Sequence, residues 1–361
     1  MASFWNRINT VLLLVVLLVL IGALASQAWG GPLDPPGPPS STQRNLIFQP
    51  SSCGGFPIIL SATGSYQLAQ NITIPDGCAN DGIDITADNV TLDLGGFALT
   101  GAAAGAIGIN EMATHVGATI RNGTVQGWPT GDISGDGMNT IDGVRALNSL
   151  GYGISVGDGS DVRNCLAGGN HATGVYAAGK SVSISHCVVT GSTGGFVFGV
   201  GIYVNGGGSR VEGNDIYLST IGVLVGNFAN TIADNTVSYA TGDGIQVAGG
   251  DNHIERNSVE KNLGYGIQLG VSATNNVVEG NAASENTQSG IVVFGNSNII
   301  QHNSAIKNGN IGINVGGTKN VSASNTAAQN TNANYVAFAG DDSAPQQTAA
   351  AATNPVANVS D

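Results

Sequence analysis

The stretch with the densest chemistry runs from Gln126 to Arg145, QGWPTGDISGDGMNTIDGVR. Trp128 could stack on a sugar ring, Asp132, Asp136 and Asp142 could hold a calcium ion or act as acid and base, and Arg145 could contact a substrate carboxylate. The same residues also fit a solvated, turn-rich loop, in which the acids accept backbone N–H groups and Trp128 fills a gap in the core. The choice depends on whether the surrounding elements bring these side chains together.

Elsewhere the reactive residue types are dispersed. His115, His171, His186, His253 and His302 show none of the spacings of a metal site, and no two cysteines lie close enough in sequence for a zinc pair. The expectation is no cofactor and no metal, with calcium at the acidic stretch as the open case. The 11 Lys and Arg are scattered and outnumbered by 24 Asp and Glu, for a net charge of −13, so a surface that tracks phosphates cannot be built and nucleic acid is not expected as a partner. With 55 glycines, 10% charged residues and 42% hydrophobic residues, the chain reads as turn-rich, with a sizeable buried core and little helix.

Arg7 is the only charge before an apolar run from Val11 to Ala25, which is followed by small residues in a cleavage-site pattern. Residues 1–28 therefore read as a signal peptide. The run is short of the roughly 20 residues that span a bilayer, and membrane contact is expected only if the segment stays uncleaved. Residues 29–41, rich in Pro and Gly, read as a linker, 42–340 as the folded domain, and 341–361, without periodicity, as a disordered tail. The expected location is secreted, extracellular or cell-surface. There Cys53–Cys78 and Cys165–Cys187 are the preferred disulfides, with reduced Cys165 and Cys187 buried as small hydrophobes as the alternative.

The elements that must position these residues follow from an internal repeat. Asn252, Asn276, Asn298 and Asn320 form one column, Asn257, Asn281, Asn303 and Asn325 a second, and Asn262, Asn286, Asn308 and Asn330 a third, at steps of 24, 22 and 22. Alternating runs such as Gly244-Ile245-Gln246-Val247 and Gly290-Ile291-Val292-Val293 recur beside them, each with the period of a half-buried strand. Shorter strands fall at Asn252 to Glu255 and around Ser258-Val259. Three short strands closing every 22 residues or so make one coil of an all-β parallel β-helix, with roughly a dozen coils. The asparagines are expected at the corners, in the left-handed backbone region that Asn tolerates, with their amides stacked from coil to coil. Cys165 and Cys187, 22 apart, should stack in the same way, whereas Gly127 to Asp142 and Gly191 to Gly199 read as loops inserted into the coils.

The Asn-x4-Asn-x4-Asn frame followed by Gly-Ile-x-Val, from 230 to 336, together with DITADNVTLDLGGFALTG at 84–101, resembles the right-handed β-helix repeat proteins of the pectate-lyase-like superfamily, secreted bacterial type. The resemblance implies a right-handed solenoid. It leaves function open, because that superfamily includes polysaccharide lyases, hydrolases and epimerases, phage adhesins and surface proteins without a known reaction. Asn80-Asp81-Gly82-Ile83-Asp84 is similar to an aspartate stretch of polygalacturonases but lacks its Thr, and the other parts of that set are missing, so Asp81 and Asp84 read as turn and strand residues. The expected function is a β-helix that binds an extracellular glycan or serves as structure, with no recognisable catalytic set. The alternative is a polysaccharide lyase or glycoside hydrolase with its site at 127–145.

Overall fold

The computed structural model describes residues 44–194, 199–337, 340–343, 346–348 and 357–360, all within one compact unit, Arg44–Asp361. The segments read as signal peptide and linker lie outside the described residues, as do residues 195–198 of the second expected insertion.

Alternation in the Gly-Ile-x-Val runs has the consequence expected of it. Ile245–Val247 pairs in parallel with Ile267–Leu269, and that strand with Ile291–Val293, with Ile245, Ile267 and Ile291 in register. Among the described residues thirteen such strands, from Ile58–Leu60 to Ala333–Ala337, form sheet 1. The other two strands of each coil, for example His253–Glu255 and Ser258–Glu260, stack on their counterparts in the next coil and form the 26-stranded sheet 2. The result is an all-β parallel β-helix. Ile245, Val247, Ile254 and Val259 of one coil all point into the lumen and are buried. Each such side chain contributes about 1.5–3 kcal/mol relative to exposure. Toward the C-terminal coils the third inward position shrinks from Val237 and Val259 to Ala283, Ala305 and Ala327.

Corners are the difficult part of such a coil, because backbone N–H and C=O groups there turn into a lumen without water. The asparagine columns solve this. The N–H and Nδ2 of Asn252 both donate to Oδ1 of Asn276, at 2.8 and 3.0 Å, and Nδ2 also donates to the carbonyl of Asn227 at 3.0 Å. Asn257 bonds Asn281 in the same way at 2.9 and 3.0 Å, and Asn262 bonds Asn286 at 3.1 and 2.9 Å. The ladder is as expected, but the backbone is not. The left-handed residue is the one before each asparagine: Asp251, Arg256 and Lys261 have φ of 55°, 53° and 56°. The left-handed step turns the following side chain inward, so the column selects for the amide and leaves the preceding position to residues such as Lys261, Arg256, Glu285 or His302. Each non-glycine residue there costs about 1–2 kcal/mol, which the ladder offsets.

Other residues can stand in the columns when they supply the same bonds. Ser209 Oγ accepts the N–H of Val182 at 3.1 Å, and Asp341 Oδ1 accepts the N–H of Asn320 at 2.9 Å. Cys165 and Cys187 occupy the second column ahead of Asn214, whose Oδ1 accepts the Cys187 N–H at 2.9 Å. They stack as their spacing predicts, but as buried free thiols that donate to the Arg163 and Ser185 carbonyls at 3.1 and 3.3 Å, so the expected second disulfide is corrected. Cys53 and Cys78 are bridged, with Cα atoms 5.5 Å apart.

Two further expectations change. Gly127 to Asp142 is no inserted loop: Gly131–Gly135 and Thr140–Leu147 are strands in register with the coils on either side. Within the segment read as a tail, Asp342–Ser343 pairs with Val321–Ser322, and Asn358 Oδ1 accepts both the N–H and Nδ2 of Asn325 at 3.1 and 3.0 Å. These described residues extend the ladder past position 340.

Replacing Asn281 by Ala would strand the Asn257 N–H and amide and the Ile254 carbonyl, which it now serves. At about 1–3 kcal/mol for each orphaned group, the loss should be about 3 kcal/mol or more by urea denaturation. Asn281→Ser, which keeps an acceptor as Ser209 does, should lose less than half of that; equal losses would contradict the ladder's role.

Candidate functional site

The coil carrying the acidic stretch separates the residues that sequence spacing had grouped. Trp128 is fully buried, in a slot lined by glycines: a Cβ built on Gly82, Gly101 or Gly108 would come within 2.7–2.8 Å of its ring. It is a core residue and cannot stack on a ligand. Asp132 also points inward and is fully buried. Asp136 is exposed at a corner, its Oδ2 accepting the Thr114 N–H at 3.2 Å while its own N–H is held by the buried Glu111 at 2.8 Å. Asp142 lies on sheet 2, paired with Arg163 at 3.2 Å, and Arg145 is exposed further along the same strand. The proposed cluster of Asp132, Asp136, Asp142 and Arg145 does not form, because the β-helix sends neighbouring residues to different faces. Among the described residues no group of three His, Cys, Asp or Glu is placed to hold a metal ion.

Asp132 stands where its neighbours in register, Gly108 and Gly153, have no side chain. At Gly153 a Cβ would lie 2.3 Å from Nδ2 of Asn170; in the Asp132 coil the corner residue is the smaller Ser149, which leaves room. Neither carboxyl oxygen has a hydrogen-bond partner, and the indole N–H of Trp128 lacks one as well. Burial pushes the Asp132 pKa up to about 9. A carboxyl neutral when folded but ionised when unfolded disfavours folding as pH rises from about 4 to about 9, by up to about 1.4 kcal/mol per pH unit. The melting temperature should therefore be lower at pH 8 than at pH 5, and Asp132→Asn should reduce that difference. Identical pH profiles for the two proteins in circular dichroism melts would rule this out.

A different set of residues converges on the outward face of sheet 1. Ile107, Gly131, Tyr152 and Thr173 follow one another in register, as do Asn110, Ser134, Ser155, Tyr176 and Tyr203. Gly131 leaves a gap in the first column, where an added Cβ would meet only the Tyr152 carbonyl, at 3.4 Å. The gap is a recess of about 130 Å³, walled by Ile107 and Tyr152 and rimmed by Thr130, Ser134 and Ser155. Tyr152, Tyr176 and Tyr203 stack with centroids 5.1 Å apart and ring planes 17° and 27° from parallel. Asn205 fixes the last two hydroxyls: Tyr203 donates to its Oδ1 at 3.2 Å, and its Nδ2 donates to Tyr176 at 3.1 Å. Tyr152 ends the stack, so one ring face is left for the recess. A wider depression of about 410 Å³ lies at the corner around Asp136, Met138 and Asp158, but Asp158 caps the Lys180 N–H at 2.7 Å, as Asp136 caps Thr114. Its acids are already engaged.

Sequence reasoning missed the recess. Tyr152 and Tyr176 belong to different columns, so no single period relates the rings, and Gly131 looked like any other turn glycine. On the N-terminal side of the recess, Asp81 accepts the Ile107 N–H and the Asn110 amide, both at 2.9 Å. Asp84, in register with Asn110, has its pKa raised to about 6 by burial and then by Asp81. The pair are turn and strand residues as expected, and they place an acidic patch on the same face.

A sequence profile described as the right-handed β-helix region matches residues 132–251 and again 198–332, together more than half of the chain. No match was found among curated protein sequences. Among solved structures, the Dettilon tailspike protein superposes with a TM-score of 0.52 at 16% identity, over 82% of this chain and 60% of its own. The complex of alginate lyase AlyF-OU02 with G6 superposes with a TM-score of 0.54 at 13% identity, over 82% of each chain. The chain thus spans less than two thirds of the tailspike's length, and at these identities the likeness is one of fold. Profile, ladder and parallel register agree: the chain belongs to the right-handed β-helix family.

Proposed function

We propose that this chain is an exported glycan-binding β-helix and that the outward face of sheet 1 is its binding surface. The observation that carries the reading is the uncharged recess between Ile107 and Tyr152, at the end of the tyrosine stack. An aromatic face attracts the C–H side of a sugar ring through its negative π cloud, while hydroxyls around it exchange hydrogen bonds with the ring's own. At about 130 Å³ the recess is far below the roughly 300–1,000 Å³ of a site for a drug-sized ligand. It fits one ring of a longer chain whose neighbours lie over adjacent coils, each about 4.8 Å further along. The Cys53–Cys78 disulfide supports an oxidising compartment outside the cytoplasm.

A second reading, a hydrolase or lyase working on the same face, is favoured by the Asp81–Asp84 pair. Two carboxyls that share one site are poorly suited to glycoside hydrolysis, which takes a separation of about 5 Å or more. Binding is the better account.

The test is affinity for immobilised polysaccharides. Gly131→Leu, which fills the recess, and Tyr152→Ala, which removes its wall, should each weaken binding at least about tenfold, roughly 1.4 kcal/mol, with little change in melting temperature. Tyr217→Ala on sheet 2 should have no effect. Unchanged binding in both recess variants would remove the recess from the account. New reducing ends or unsaturated products, lost in Asp84→Asn, would replace binding by catalysis.

A further inference from the structure

We propose that this face selects neutral sugar residues and excludes uronic-acid polymers, an inference that rests on the glycan-binding reading above. None of the thirteen strands of sheet 1 contains a Lys, Arg or His. Among the described residues the bases stand on sheet 2 or at corners, and several are already paired: Arg121 with Asp93 at 3.3 Å, Arg163 with Asp142 at 3.2 Å, and Arg256 with Asp234 at 2.9 Å. Lys180 and His171 are the bases nearest in sequence to the tyrosine stack, and both lie on turns outside Thr173–Ala177. The charges that the face does carry are Asp81 and Asp84, with Asp136, Asp158 and Asp243 at its edges.

A uronate polymer brings one carboxylate per residue. Laid along the coils, it would set its charges against Asp81 and Asp84 with no guanidinium or ammonium on the strands to receive them, Lys180 standing beside Asp158 at the corner, and like charges across an interface are strongly unfavourable. In the recess the conflict is sharper, because a carboxylate would lose water between Ile107 and Tyr152 and gain only hydroxyl partners. A buried charge without a counter-charge is the most expensive group to desolvate. An uncharged, hydroxyl-rich ring has the opposite balance: Thr130, Ser134 and Ser155 offer donors and acceptors, and Tyr152 offers an apolar face.

The experiment uses the full chain at low ionic strength, where charge effects are largest. Binding is measured to soluble neutral glucan, galactan, mannan and xylan, and to polygalacturonate and alginate, with wild type and Gly131→Leu. Binding to at least one neutral polymer, weakened at least tenfold by Gly131→Leu, with no binding of either uronate, is the expected result. Uronate binding that Gly131→Leu abolishes would overturn the neutral selectivity and leave the glycan-binding face in place. Uronate binding that Gly131→Leu leaves unchanged would overturn the selectivity and the recess together, and no binding to any of the six polymers would overturn the glycan-binding reading itself.

Discussion

Every coil of this molecule must turn its backbone through corners that face a dry lumen, and the amide of an inward asparagine satisfies the groups left there. One Oδ1 takes two donors from the coil before it, and one Nδ2 reaches a backbone carbonyl, as at Asn252, Asn276 and Asn298. Buried polar groups without partners are expensive, so the columns set the register of the strands between them. Alternating Ile and Val then fill the lumen because the register is already fixed. Where the ladder is served by Ser209 or Asp341, the coil persists, which shows that the requirement is for partners at that point and not for asparagine as such.

A fold held from within leaves its outside free to vary. The outward positions of sheet 1 are spaced by the coil rise, and a functional surface arises where the pattern is broken: a missing side chain at Gly131, three tyrosines in succession, an acid pair beside Ile107. The inside tolerates fewer departures. Asp132 in the glycine column carries two unpartnered oxygens, and its coil accommodates it through Ser149 at the facing corner. Stability that declines with rising pH is the consequence of that one substitution in the repeat.

The fold was legible in the sequence because its determinants repeat. Asparagines at steps of 22 and 24 and runs of Gly-Ile-x-Val give the strands, the coil and the ladder without reference to distant contacts. What could not be read is what depends on which way a side chain faces. Trp128 looked available to a ligand, yet it fills space left by Gly82, Gly101 and Gly108, residues far from it in sequence. Asp132, Asp136 and Asp142 looked like a cluster because ten residues of sequence seem close, whereas a strand and a corner send them to the lumen, the edge and the other sheet. The recess was invisible for the converse reason: Ile107, Gly131 and Tyr152 are neighbours only once the coils are stacked.

The claim that the inward amides hold the coils together is tested most directly by a double-mutant cycle on Asn257 and Asn281, which share two hydrogen bonds. Stabilities of Asn257→Ala, Asn281→Ala and the double variant would be measured by urea denaturation. If the amides hold the coils, the two positions couple by about 1 kcal/mol or more, with the double variant losing less than the sum of the two single losses. Additive losses would contradict it and assign the register to the apolar lumen alone.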